Sequence, residues 1–165
     1  MIRVVAGALA RQAVDAVLRP ADAALAPVGD AAVQLDGAGG DRFAAERRMT
    51  TPLEAGAAVV TGAGDLAADY VLHVVVADER GPGNRDTIRR ALVSAWQRAG
   101  DWGLARVAAP LVGVASGQLT VDESVRLLVD TMPRGADAAD GPALTIVVDE
   151  AAAVDVVEAM VRRMT

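Results

Sequence analysis

The chain has 165 residues, 53% of them hydrophobic, and carries 22 acidic against 16 basic side chains for a net charge of -6. It contains no cysteine, which excludes disulfides, thiolate metal sites and thiol nucleophiles and points to a reducing, cytoplasmic home. Its apolar runs fall short of the roughly 18 residues a membrane-spanning helix needs, and its net acidity, with no arginine-rich face to offset it, argues against nucleic acid as a partner. A chain of this length suits one ordinary domain, here 1–165, that buries about two thirds of its unfolded surface without staples. No signal-peptide pattern precedes the first apolar run, so a soluble protein is expected.

In chain order, Ile2 to Ala6 and Ala16 to Leu18 are apolar runs that read as buried strands, the first ending at Gly7. From Pro20 to Gly40 alanine, glycine, proline and aspartate dominate, which predicts a loop, a short helix and another loop. Asp41 to Met49 predicts a helix, and Pro52 with Gly56 resets the chain for strands at Ala57 to Thr61 and Tyr70 to Ala77. After the loop Asp78 to Asn84, the spacing of Ile88, Ala91, Leu92, Ala95, Trp96 and Ala99 predicts a helix with one buried face.

A strand at Ala105 to Ala109 and a glycine-containing loop from Pro110 to Leu119 follow. Thr120 with Glu123 three residues on is a capping-box pattern that opens a helix burying Val125, Leu128, Val129 and Met132. Pro133 to Pro142 reads as a flexible connection, Leu144 to Val148 as a last strand and Glu150 to Met164 as a last helix. Such alternation predicts a mainly parallel sheet covered by helices on both faces, with ligands at the carboxyl ends of the strands.

Two motifs carry less than they promise. Gly62-Ala63-Gly64-Asp65-Leu66-Ala67 matches the dinucleotide fingerprint, but the next strand starts at Tyr70 and leaves no room for the helix that fingerprint opens. A tight turn between neighbouring strands is the expectation. The one histidine, His73, lies within the strand run Tyr70 to Val76 and reads as structural, with its polar edge satisfied locally. One histidine makes no multi-histidine metal site, and the carboxylates lack ligand spacing, so neither a metal nor a cofactor is expected. Ser116 stands outside any nucleophile elbow, and no catalytic residue is assigned.

Several segments together resemble the macrodomain family from Ile2 to about Met132. They are Gly56 to Leu66 with Tyr70 to His73, then Asn84 to Ala99, Gly103 to Leu111 and Thr120 to Met132. The resemblance implies a three-layer α/β/α fold with a mainly parallel mixed sheet, and a crevice for ADP-ribose or a related nucleotide.

The resemblance also implies which residues meet that ligand, and most depart from the family pattern. Gly7-Ala8 stands where an aspartate usually accepts a hydrogen bond from adenine, and Ala8 cannot. Arg19-Pro20-Ala21-Asp22 stands for Asn-Ala-Ala-Asn, with Asp22 at the asparagine that holds the distal ribose. Pro27-Val28-Gly29-Asp30 keeps one glycine of the first phosphate loop. Gly113-Val114-Ala115-Ser116-Gly117-Gln118 stands for the second, with Ala115 replacing a glycine. The candidate ligand residues are therefore Gly7, Ala8, Asp22, Gly29, Val114, Ala115, Ser116 and Gly117, and the bland alternative makes Arg19, Asp22 and Asp30 solvated loop residues. Three readings follow: a diverged binding module, a degenerate domain serving as a protein-interaction or structural subunit or as a homo-oligomer, and an ADP-ribosyl hydrolase.

Overall fold

A computed structural model describes residues 1–133 and 142–165. Its strands are β1 (Ile2–Ala6), β2 (Ala16–Asp22), β3 (Ala58–Gly62), β4 (Tyr70–Asp78), β5 (Gly81–Pro82), β6 (Arg106–Ala109) and β7 (Ala143–Val148). Its helices are α1 (Asp30–Glu46), α2 (Arg85–Trp102), α3 (Val121–Thr131) and α4 (Ala151–Met164). The sheet runs β1-β7-β6-β2-β4-β3 with β5 beside β4; β3 and β5 pair antiparallel and the rest parallel, so the sheet is mixed and mainly parallel, as expected.

Period-two alternation divides the strand residues between two layers. Leu18, Leu72, Val107 and Ile146 face α2, α3 and α4, against Ile88, Leu92, Trp96, Val125, Leu128, Val157 and Val161. Val17, Val71, Ala108 and Val147 face the other way, against Leu35 and Phe43 of α1. The three-layer arrangement follows: three helices cover one face and α1 covers the other. Asn84 caps α2 by accepting the Thr87 amide, and Thr120 with Glu123 forms the predicted capping box on α3.

The segment from Pro20 to Gly40 differs from expectation. β2 continues through Asp22, and a helix runs from Asp30 to Glu46 with a kink at Gly40. Pro20 is tolerated because β6 pairs only with Ala16 and Val17, so the missing amide falls beyond that ladder. Glycines on both sides let α1 and the β3–β4 turn approach closely: Asp65 donates its amide to the Gly39 carbonyl at 3.1 Å, a Cβ on Gly40 would stand 2.8 Å from the Asp65 carboxylate, and one on Gly64 2.4 Å from the Phe43 nitrogen. The β3–β4 turn thus lies backbone to backbone on α1, with Gly64 at φ 58°, and the reading of Gly62 to Leu66 as a turn holds. β3 lies at the sheet's edge. Within the predicted connection Pro133 to Pro142, Arg134 to Gly141 lie outside the described residues.

Candidate functional site

Parallel strands open their carboxyl ends to one rim, and the cavity expected there exists. It has a volume of about 380 Å³ and is lined by Gly7 and Leu9 after β1, Pro110, Leu111, Val114 and Ala115 after β6, and Val147 to Glu150 at the end of β7. The first turns of α1 (Asp30, Ala31, Gln34) and α4 (Ala153) complete it. Neither helix has a side-chain cap, although in the first turn of α4 the Ala153 amide donates to the Glu150 carbonyl at 3.0 Å. Asp30, Asp149 and Glu150 add three exposed carboxylates to the same walls.

A second cavity of about 840 Å³ lies beyond the ends of β2 and β4, and shares no lining residue with the first. Asp22, Ala23 and Ala24 form one wall, and Asp78 to Asn84 with Thr87 and Arg90 much of the rest. One carboxylate oxygen of Asp22 accepts the amides of Ala24 and Ala26, each at 2.9 Å, so this side chain first serves its own turn.

The candidate ligand residues therefore separate. Gly7, Val114 and Ala115 meet in the first cavity, and Asp22 lines the second. Ala8, Gly29, Ser116 and Gly117 line neither. Ser116 turns inward on its own loop, donating to the Gly113 carbonyl at 3.2 Å and lying 2.7 Å from the Gln118 side-chain oxygen. Gln118 ties that loop down by donating to the carbonyls of Val76 and Gly83, each at 2.9 Å. The loop before α1 and the loop after β6 lie close together, since a Cβ on Gly29 would stand 3.3 Å from that of Ala115. Sequence reasoning missed Gln34, Asp149 and Glu150. An acidic pair directly after an apolar strand marks the carboxyl end of that strand, which was the signal available for the last two.

Arg19 is neither solvated nor in a loop; it is fully buried in β2, beneath the rim. Its Nε and Nη2 donate to Asp36 of α1 at 2.7 and 2.8 Å, Nη2 also to the Leu25 carbonyl at 2.8 Å, and Nη1 to His73 Nδ1 at 3.1 Å. Arg47 Nη1 reaches Asp36 at 3.1 Å and its guanidinium lies 4.7 Å above the Phe43 ring, which stacks on His73. Because a guanidinium only donates, His73 Nδ1 must accept. Its Nε2 therefore carries the proton and donates to Thr61 Oγ1 at 2.8 Å, while that hydroxyl donates onward to the Gly62 carbonyl. Burial, then the charges of Arg19 and Arg47, lower the His73 pKa to about 3, so the ring stays neutral. This bears out the structural reading of His73. Arg19 also holds the carbonyl of Leu25, the one non-glycine residue with positive φ (62°) among those described, which directly follows Ala24 in the wall of the second cavity.

Comparison with known proteins agrees with this architecture. The family model for the Macro domain matches residues 18–128. An uncharacterized protein of Mycobacterium tuberculosis is 30% identical over 120 residues, which is 73% of this chain but 33% of that protein, so the chain spans about a third of the length of that curated relative. A mutant macrodomain of Oceanobacillus iheyensis superposes with a TM-score of 0.82 at 14% identity, covering 98% of this chain and 90% of that one. The macrodomain of Trypanosoma brucei in complex with ADP gives 0.83 at 18% identity, covering 97% of this chain and 68% of that one. At such identities the structures speak for the fold, and with two thirds of the chain matched by the family model, this chain belongs to the macrodomain family.

Proposed function

We propose that the chain is a binding module that takes ADP-ribose or a related nucleotide weakly in the rim cavity between α1 and α4, and does not turn it over. The observation that carries this reading is the cavity itself. Its volume of about 380 Å³ sits at the lower end of the 300–1,000 Å³ range of small-molecule sites, and two uncapped helix N-termini face it. The macrodomain of T. brucei holds ADP, which sets the ligand class to try first. Weak binding is the expectation because Ala8, where the resemblance would put an acceptor, lies outside the cavity lining, and the Ser116 and Gln118 side chains of the loop after β6 are engaged with the protein.

A binder is favoured over a hydrolase because, among the described residues, the cavity wall holds exposed carboxylates but no histidine, serine, threonine or cysteine beside them, and His73 is buried and neutral. Calorimetric titration with ADP-ribose, AMP and adenosine, with inorganic phosphate as control, tests the reading. Dissociation constants between about 100 μM and 1 mM, roughly -5.5 to -4 kcal/mol, are expected for at least one adenine compound. Absence of heat with all three refutes it and leaves the second reading, a protein-interaction subunit or homo-oligomer, to sedimentation. Val33 on α1 and Val156 on α4, each 55% exposed, are the apolar side chains such a contact would cover.

A further inference from the structure

We infer that the free edge of β3 pairs antiparallel with the same edge of a second copy of the chain, about a two-fold axis at Val60. β3 ends the sheet, pairing with β4 alone, and lies at the opposite margin from β1, β7 and β6, whose ends line the rim cavity. The inference therefore goes beyond the nucleotide reading and does not depend on it. In an antiparallel ladder, successive residues of an edge strand turn their amide and carbonyl alternately toward the neighbour and away from it. Val75 donates its amide to the Ala57 carbonyl at 2.9 Å, which fixes the phase: Val59 and Thr61 exchange bonds with β4, while Ala58, Val60 and Gly62 present theirs outward. Such a row is a template for another strand.

Charge selects the partner. At one end of the edge, Arg98 of α2 donates Nε to the Ala58 carbonyl at 3.4 Å, and its ion pair with Asp101 is long, at 4.0 Å. At the other end the exposed Glu46 lies against Gly62, where a Cβ would stand 3.0 Å from its carboxylate. Glu46 forms no salt bridge among the described residues. Opposite charges thus flank Val60 at equal spacing. A parallel partner would set Arg98 against Arg98 and Glu46 against Glu46. A two-fold axis at Val60 instead sets each Arg98 against Glu46 of the other copy, with Val60 bonded to Val60 and Ala58 to Gly62 at both ends. Trp102, 53% exposed, packs edge-on against Tyr70, the residue opposite Gly62, so each Arg98 also approaches an open aromatic ring. The edge is self-complementary, and a strand of unrelated sequence has no reason to carry both charges at this spacing. A joint this short buries less than the roughly 1,200 Å² of a stable complex, so the dimer expected is reversible, with a dissociation constant of about 10–100 μM.

The test is sedimentation equilibrium of the wild type, Glu46→Arg, Arg98→Glu, an equimolar mixture of those two variants, and Val60→Pro, with urea unfolding of each at low concentration to establish that it is folded. Proline is tolerated at an edge residue whose amide points away from the neighbouring strand, so Val60→Pro removes the central bonds between copies and none to β4. Each charge variant alone is expected to weaken the dimer about tenfold or more, because like charges then meet at both ends. Mixing the two is expected to restore it to within about threefold of the wild type, since every Arg then faces a Glu, and Val60→Pro is expected to abolish it. A wild type that stays monomeric at about 500 μM overturns the inference. So does a dimer that survives Val60→Pro and both charge variants, which would belong to another face. If the single variants weaken the dimer but their mixture does not recover it, the pairing of Arg98 with Glu46 is overturned. The mixture keeps the test decisive if Val60→Pro folds poorly.

Discussion

His73 should make the protein lose stability as the pH falls through 6, well before its carboxylates titrate. The ring is fully buried, accepts from Arg19 and donates to Thr61, and its pKa in the folded chain is lowered to about 3 by burial and by the charges of Arg19 and Arg47. In the unfolded chain the same group takes up a proton near pH 6.5. Below that pH the unfolded state binds a proton that the native state refuses, so stability is complete above about 6.5 and declines as pH falls toward the folded value. The slope approaches about 1.4 kcal/mol per pH unit, and between about pH 7.5 and 5 the loss sums to about 2 kcal/mol.

The assay is urea unfolding at a series of pH values, for the wild type and for His73→Gln. Glutamine keeps a donor and an acceptor in the strand but does not ionise, so the variant starts less stable and shows a flat profile down to about pH 5. No second histidine confounds that window. Equal slopes for the two proteins between about pH 7.5 and 5 would refute the reasoning.

Other perturbations test other parts of the same architecture. Arg19→Met strips Asp36 of its bidentate partner beneath the sheet and should lower stability by about 3–5 kcal/mol in urea unfolding. Gly64→Ala places a methyl against the Phe43 backbone at φ 58° and should cost more than about 1 kcal/mol, whereas Gly100→Ala on α2, where the added methyl meets nothing within 4 Å, should be neutral or stabilising. Thr120→Ala removes the capping box of α3 and should cost about 1 kcal/mol, read as a shift in the urea midpoint with an unchanged m value.

How much was legible in the sequence depended on whether the local signal and the tertiary environment agreed. The run Tyr70 to Ala77 reads as a buried strand because nearly every residue in it is apolar, and β4 is indeed paired on both sides. The face of α2 and the capping box of α3 were equally plain, because amphipathic spacing and cap chemistry are local properties. Around Gly37 to Gly40 the two conflicted: the glycines lower helix propensity, yet Gly40 leaves room for Asp65 of the β3–β4 turn and Gly39 for Phe43, which only the folded contacts reveal. Arg19 was hidden for a related reason. A charge beside a proline reads as a loop, and its burial depends on Asp36, seventeen residues away on another element. Within the site, Gly7, Val114 and Ala115 came from resemblance, while Asp149 and Glu150 lie past Met132, where the resemblance stopped.

The network around Arg19 also bears on how the rim is held. On the face covered by α1, the apolar cluster is the smaller of the two, with Leu35 and Phe43 as the helix's main contribution. Apolar packing is non-directional and would tolerate some sliding of α1 along the sheet. The paired hydrogen bonds from Arg19 to Asp36 are directional and tie one point on α1 to one residue of β2, two turns from the end of the helix that forms a wall of the rim cavity. The same guanidinium fixes Leu25, and through it the turn that walls the second cavity. A single buried cation therefore sets the position of a wall in each cavity from below. The rim is thereby anchored from within the sheet as well as by the loops that form it.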